Sequence, residues 1–85
     1  MPVRREALLW LEEAGYDLED ARDAYSRGRW SRVTFLAQQA CEKALKALWI
    51  HLKRTPPPRT HVLPDLVPEG VDLEEVSLED LYLAF

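Results

Sequence analysis

Two long stretches of helical spacing, joined by one short turn, constrain the fold of this chain more than any other feature. In residues 3–26 apolar side chains recur at alternating spacings of four and three, and no proline interrupts them. This pattern places them on one face of a helix. They are Ala7, Leu11, Ala14, Leu18, Ala21 and Tyr25. Residues 30–53 are equally free of proline. The sequence therefore predicts two helices, from about Val3 to Ser26 and from Trp30 or Ser31 to Lys53.

The segment SRGRWS, residues 26–31, separates the two helices. Gly28 can adopt the left-handed conformation that ends a helix, and Ser31 is a candidate N-cap for the next one. We therefore predict a tight turn between two antiparallel helices.

The second helix carries alanines where a core helix usually carries leucines. A stripe of small side chains runs along it beside a bulkier stripe. The small stripe is Val33, Ala37, Ala40, Ala44 and Ala47, and the bulkier one is Cys41, Leu45, Leu48 and Leu52. Because the first helix also has small side chains on its apolar face, we expect the two helices to pack at a narrow separation.

The chain after the second helix predicts only short elements. Pro56–Pro58 end that helix, because proline cannot continue it. THVLPDLVP, residues 60–68, allows one short helical turn, and SLEDLYLAF, residues 77–85, predicts the start of a third helix. One side of the hairpin is then left uncovered. Either a second copy of the chain covers it or the sequence lacks a C-terminal portion, and both readings stay open. We treat residues 1–85 as a single helical domain.

Composition excludes several classes of protein. Eighty-five residues with 47% hydrophobic and 31% charged side chains suit one small globular domain with a thin core. A net charge of −4 argues against nucleic-acid binding by bulk electrostatics. The single cysteine, Cys41, excludes an internal disulfide and a cysteine-based zinc site. No apolar run approaches the ~20 residues of a membrane span, and MPVRREALLW does not resemble a signal peptide. We expect a cytoplasmic protein without a metal or cofactor.

Three groups of residues are candidates for a site. The first is Gln39, Glu42 and Lys46, which lie on one stripe of the second helix between Phe35 and Trp49. Glu42 and Lys46 have the spacing and order of a helical ion pair. This group is either a solvated or half-covered seam at an oligomer interface, or a polar pocket between the helices that Asp17 could join.

The second group is His61 with Arg54, Arg59 and Thr60. A histidine and an arginine can bind a phosphate, or cleave RNA without a metal by moving protons and stabilising charge. Equally, His61 could anchor the loop.

The third group is Arg22, Arg27, Arg29 and Arg32 beside Tyr25 and Trp30. Arginines among aromatic rings can hold phosphates and stack bases, although a solvated helix end whose arginines pair with Asp20 and Asp23 is the more frequent explanation.

Taken in their order along the chain, several of these residues resemble the sequence pattern of the HEPN domain. The most specific element is Ala-Gln-Gln-Ala-x-Glu-Lys-Ala-x-Lys, residues 37–46, followed by Thr-His-x-Leu-x-x-Leu, residues 60–66. Trp10, Ala14, Asp17, Leu18, Ala21 and Trp30 complete the resemblance. It implies an all-α, antiparallel up-and-down helical bundle that commonly dimerises. It also implies pairing with a minimal nucleotidyltransferase in toxin–antitoxin-like systems.

Many HEPN proteins are ribonucleases with an Arg-x(4–6)-His motif on a later helix. Arg54 and His61 have six residues between them, but TPPPRT cannot form that helix, and we assign no catalytic residue. We expect a homodimeric accessory protein that binds a nucleotide or a minimal nucleotidyltransferase, with Asp17, Glu42, Lys46, Arg59 and His61 as ligand-binding residues. The alternatives are a metal-independent ribonuclease toxin, whose RNA target is unspecified, and a non-catalytic helical interaction scaffold.

Overall fold

Two long antiparallel helices account for most of the structure, a computed structural model that describes residues 3–60 and 63–68. Helix α1 spans Val3–Ser26 and helix α2 spans Trp30–Lys53. A 3₁₀ turn at Leu63–Leu66 follows, and these described ranges contain no strand. The all-α prediction and the predicted bounds of both helices are confirmed. The predicted third helix, residues 77–85, lies outside the described residues.

The turn between the helices is a Schellman motif. Gly28 has φ 71°, its N–H donates to the Tyr25 carbonyl at 3.0 Å, and the Arg29 N–H donates to the Ala24 carbonyl at 3.0 Å. These bonds satisfy carbonyls at the end of α1 that have no partner within the helix. The left-handed conformation predicted for Gly28 is confirmed.

The N-cap prediction is wrong. Helix α2 begins at Trp30, so Ser31 already lies inside its first turn, and the capping residue is Arg29 without a side-chain capping bond. The Arg29 carbonyl accepts the Val33 N–H at 3.0 Å, the first bond of the new helix. The short Schellman turn leads directly into α2 and leaves Ser31 past the capping position.

Alanines line the contact between α1 and α2, as the two stripes of small residues predicted. The fully or almost fully buried alanines are Ala7, Ala14, Ala21, Ala24, Ala40 and Ala47. Two apolar clusters hold the hairpin, one near the turn and one at the opposite end. The first joins Ala21 and Ala24 to Leu36, and the second joins Ala7 and Leu11 to Ala47, Leu48 and Ile50.

Some predicted core positions are exposed. Tyr25 is 65% exposed because it lies in the last turn of α1, where it contacts Trp30 at the hairpin end. Leu52, in the last turn of α2, is half exposed, and Cys41 is exposed. Conversely, Leu36 and Ile50 are buried although neither belonged to the predicted stripes.

The chain leaves α2 through Arg54, which adopts the left-handed conformation (φ 57°) and donates its N–H to the Ile50 carbonyl at 3.0 Å. The prolines keep residues 55–60 out of a helix, as predicted. The 3₁₀ turn then packs on α2 and buries Leu66 completely. Among the described residues, neither helix is apolar enough over a sufficient length to cross a membrane.

Candidate functional site

The antiparallel hairpin brings together residues that are equally far from Gly28 along the chain. Glu13 lies fifteen residues before Gly28 and Lys43 fifteen after it, and Trp10 and Lys46 are each eighteen away. Both pairs are in contact in the structure. Equal distance does not account for every contact, since Asp17, eleven residues before Gly28, also pairs with Lys43. We call Asp17, Glu42, Lys43 and Lys46 the charged seam.

Lys43 connects the two helices. Its ammonium lies 2.8 Å from the Asp17 carboxylate and 3.8 Å from the Glu13 carboxylate of α1. Lys43 and Asp17 are mostly buried, whereas Glu13 is largely exposed. An ion pair screened this little by water is worth more than an exposed one, so the Lys43–Asp17 pair ties the middle of α2 to α1.

Lys46 contacts a residue on each of the two helices. Its ammonium lies 3.1 Å from Oε1 of Glu42, one helical turn earlier, and 5.0 Å from the ring centroid of Trp10 on α1. The second distance is that of a cation–π interaction. Glu42 is only 3% exposed, so its carboxylate is removed from water and held against the lysine. Glu42 is therefore not solvated, whereas Gln39 and Lys46 on the same stripe are partly exposed.

The candidate residues on the helices are brought together only in part. Asp17, Glu42 and Lys46 all lie along the seam, but Asp17 pairs with Lys43 and not with Lys46. Sequence reasoning missed Lys43, although its distance from Gly28 was a usable signal. In this arrangement each lysine neutralises a carboxylate, so the seam is a set of paired charges.

The second candidate group lies in the loop after α2. Arg59 is exposed, and residues 54–60 are not helical. The prediction that this segment cannot be the helix of the nuclease motif is confirmed over those residues. His61 lies outside the described residues. Among residues 3–60 and 63–68, no three His, Cys, Asp or Glu side chains are grouped so as to hold a metal ion.

The third candidate group forms the hairpin end, which we define as Arg22, Tyr25, Arg29, Trp30 and Arg32. The rings of Tyr25 and Trp30 meet edge to face, with centroids 5.3 Å apart. Nearby, Arg27 pairs with Asp23 at 3.2 Å, on the exposed surface. The predicted pairing of an arginine with Asp23 is thus confirmed for one member of the group.

A family model of the HEPN domain matches residues 7–82 of the chain. The chain belongs to the HEPN domain family. The resemblance found in residues 37–46 and 60–66 is thereby confirmed. No curated protein and no solved structure matches the chain.

The HEPN match includes every candidate ligand residue. Asp17, Glu42, Lys46, Arg59 and His61 all fall within residues 7–82. The HEPN domain of this chain thus contains both the hairpin with its charged seam and the loop that follows it.

Proposed function

We propose that this chain is an HEPN-type accessory protein that binds a minimal nucleotidyltransferase, a nucleotide, or both, in a toxin–antitoxin-like system. The observation that carries the proposal is the HEPN match over residues 7–82. A toxin–antitoxin-like or ribonuclease-type role is consistent with this family, and the charges of the hairpin favour the binding role.

The pairing of the seam supports binding over catalysis. A general acid or base has to exchange a proton with substrate, and so it must reach the substrate. The Glu42 carboxylate is buried against Lys46, and the Asp17 carboxylate lies against Lys43. Their geometry suits a rigid support, with any ligand at its rim.

A nucleotide would be held through its phosphates by Lys46, Arg59 and His61. Asp17 and Glu42 belong to the proposed set as the carboxylates that position Lys43 and Lys46. Arg59 is exposed and ready to meet an anion, whereas Lys46 would have to leave Glu42, at least in part. Since the Lys46 ammonium lies over the Trp10 ring, a ligand that draws this lysine away should change the tryptophan fluorescence.

The nucleotide test follows from this contact. ATP and GTP are titrated against the protein while tryptophan fluorescence is recorded. We expect the fluorescence change to saturate with nucleotide concentration. For Arg59→Ala we expect about tenfold weaker binding, which corresponds to a loss of about 1.4 kcal/mol in binding free energy. Arg27→Ala removes an exposed arginine that is already paired with Asp23 and serves as the matched control, with binding unchanged. A linear fluorescence response without saturation would eliminate the nucleotide.

The partner test starts from the neighbouring reading frame, which we expect to encode a minimal nucleotidyltransferase. Both proteins are purified separately, mixed and analysed by size-exclusion chromatography and calorimetry. We expect one complex of defined stoichiometry. If no complex forms, no nucleotide binds, and the pure protein cleaves RNA in a way that His61→Ala abolishes, the chain is a ribonuclease toxin. If nothing binds and nothing is cleaved, it is a scaffold.

A further inference from the structure

The charge of this small protein is concentrated unevenly. Residues 22–35 contain four arginines and one aspartate, a net charge of +3. The whole chain carries −4, so the residues outside this segment carry −7. The hairpin end is therefore a positive region of an acidic molecule, and residues 43–60, with five lysines and arginines and no carboxylate, form another. A positive region of this kind attracts partners of opposite charge.

The arginines of the hairpin end are not neutralised by their neighbours. Arg27 lies close by and holds Asp23. Within residues 3–60 and 63–68 no carboxylate forms an ion pair with Arg22, Arg29 or Arg32. All three side chains are exposed. Their donors face water and are available to an anionic group that approaches the end of the hairpin.

Two large aromatic side chains lie among these arginines. Tyr25 is 65% exposed and Trp30 is 61% exposed, although they contact each other. Arg22 precedes Tyr25 by three residues on the same face of α1, and Arg29 directly precedes Trp30. Tryptophan, tyrosine and arginine are the three residues most enriched where protein interfaces concentrate their binding energy.

We infer that the hairpin end is a docking surface for an acidic segment of a partner protein. Carboxylates of the partner would accept hydrogen bonds from the guanidinium groups, in pairs where geometry allows. Apolar side chains of the same segment would cover the exposed rings of Tyr25 and Trp30.

The observations favour a protein segment over a nucleic-acid strand. A strand adds a phosphate with every nucleotide and would extend beyond the three unpaired arginines, Arg22, Arg29 and Arg32, that the hairpin end offers. Nucleic-acid-binding domains are usually basic overall, whereas this chain has an isoelectric point of about 5.1. The basic residues of the hairpin end are all arginine, without lysine, which is the preference of protein interfaces.

The hairpin end would serve the partner protein of the proposed function, and in that respect it depends on that function. The two can fail separately. A complex that forms with the nucleotidyltransferase and is unaffected by changes at the hairpin end would leave the proposed function intact and refute this docking surface.

Defined probes test the surface directly. A fluorescently labelled peptide of alternating glutamate and leucine is titrated against the full chain, followed by its lysine–leucine counterpart and a single-stranded RNA of equal negative charge. We expect the acidic peptide to bind and the basic one not to bind. Arg29→Glu combined with Arg32→Glu, and separately Trp30→Ala, should each weaken binding at least about tenfold.

Matched controls separate a docking surface from bulk attraction. Arg5→Glu combined with Arg54→Glu reverses two exposed arginines at the opposite end of the hairpin, the same change in net charge as in the double variant. Tyr16→Ala removes an exposed ring from the middle of α1. Both variants should bind the acidic peptide with a dissociation constant within about twofold of the parent's. This is a difference in binding free energy well under about 1.4 kcal/mol. Acidic residues near the start of a helix are favourable, so Arg29→Glu and Arg32→Glu should keep the parent's circular dichroism.

Three results would overturn the inference. The first is failure of the acidic peptide to bind. The second is equal weakening by the control variants, which would indicate bulk attraction. The third is tighter binding of the RNA than of the peptide, lost with Trp30→Ala, which would make the hairpin end a nucleic-acid surface.

Discussion

Lys46 is the least exposed of the three lysines of this chain. It neutralises Glu42, which is almost completely buried, and it lies over the ring of Trp10 on the other helix. Removing one member of a buried ion pair leaves the other charge in a poorly hydrated place, and this costs more than the pair itself contributes. The Glu42–Lys46 pair should therefore be sensitive to single changes and tolerant of paired ones.

We predict that Lys46→Met destabilises the protein by about 3 kcal/mol, because the buried carboxylate of Glu42 loses its lysine. The double variant Glu42→Gln, Lys46→Met should recover much of this loss, since no buried charge remains. The measurement is urea unfolding of the two single variants and the double variant, read as a double-mutant cycle.

The exposed pair Arg27–Asp23 is the control for this prediction, because it has the same four-residue spacing. Arg27→Ala should cost less than about 1 kcal/mol, as is usual for solvated pairs. Equal losses for Lys46→Met and Arg27→Ala would mean that the burial of Glu42 has no energetic consequence.

Tyr16 provides a prediction about pH. The negative charge of Glu12, and next the hydrogen bond that the Tyr16 hydroxyl donates to it at 3.3 Å, raise the pKa of Tyr16 above its ordinary value. A raised pKa in the folded state means that this contact contributes to stability below the ordinary tyrosine pKa of about 10. The contribution is lost as the pH rises through the higher folded value.

We therefore expect Glu12→Gln to lower the pKa of Tyr16, because it removes the negative charge. Tyrosinate absorbance, recorded against pH for the parent and for Glu12→Gln, measures the change. Tyr16→Phe identifies which part of the titration belongs to Tyr16. Superimposable curves for the parent and Glu12→Gln would rule out the contact as the cause of the raised pKa.

At the scale of the elements, the hairpin depends on short side chains between α1 and α2. Ala47 is fully buried against Ala7 and Leu11 in the cluster opposite the turn. Protein interiors are close-packed, so a larger side chain at such a position has to displace its neighbours. The alanines of α2 thus determine how close the two helices come.

We predict that Ala47→Leu destabilises the hairpin by about 1–3 kcal/mol, the usual cost of overpacking a core. Gln38→Leu introduces the same side chain at an exposed position of the same helix and should change stability by less than about 0.5 kcal/mol. Urea unfolding compares the two. An Ala47→Leu variant as stable as the parent would show unfilled space between the helices.

At the scale of the whole molecule, the small chain presents large apolar side chains to water. Phe35 is 55% exposed and lies at one end of the stripe that also holds Gln39, Glu42 and Trp49. The charges of Glu42 and Lys46 are paired within one chain. A second copy of the chain would therefore contact this stripe chiefly through Phe35. We keep the proposal of a homodimer and assign Phe35 to its contact.

Sedimentation equilibrium tests the homodimer. We expect a dimer whose dissociation constant rises at least about tenfold in Phe35→Ser, a loss of about 1.4 kcal/mol. Leu9→Ser, which replaces an exposed leucine of α1, is the control and should leave the dissociation constant unchanged. A parent protein that remains monomeric at high concentration would refute the dimer.

Local sequence was enough to predict the bounds of α1 and α2, the left-handed Gly28 and the end of α2 before the prolines. Each of these depends on residues close together along the chain, through helical periodicity, a positive φ and the missing N–H of proline. The register of the hairpin was also within reach, since the equal distances of Glu13 and Lys43 from Gly28 place them face to face.

The packing of the chain, which local sequence does not reveal, buries Glu42, pairs Asp17 with Lys43 and leaves Tyr25 exposed beside Trp30. Helical periodicity assigns a residue to a face, but burial depends on what packs against that face from elsewhere in the chain. At the hairpin end nothing among the described residues covers Tyr25, so an apolar position in the pattern becomes part of an exposed surface.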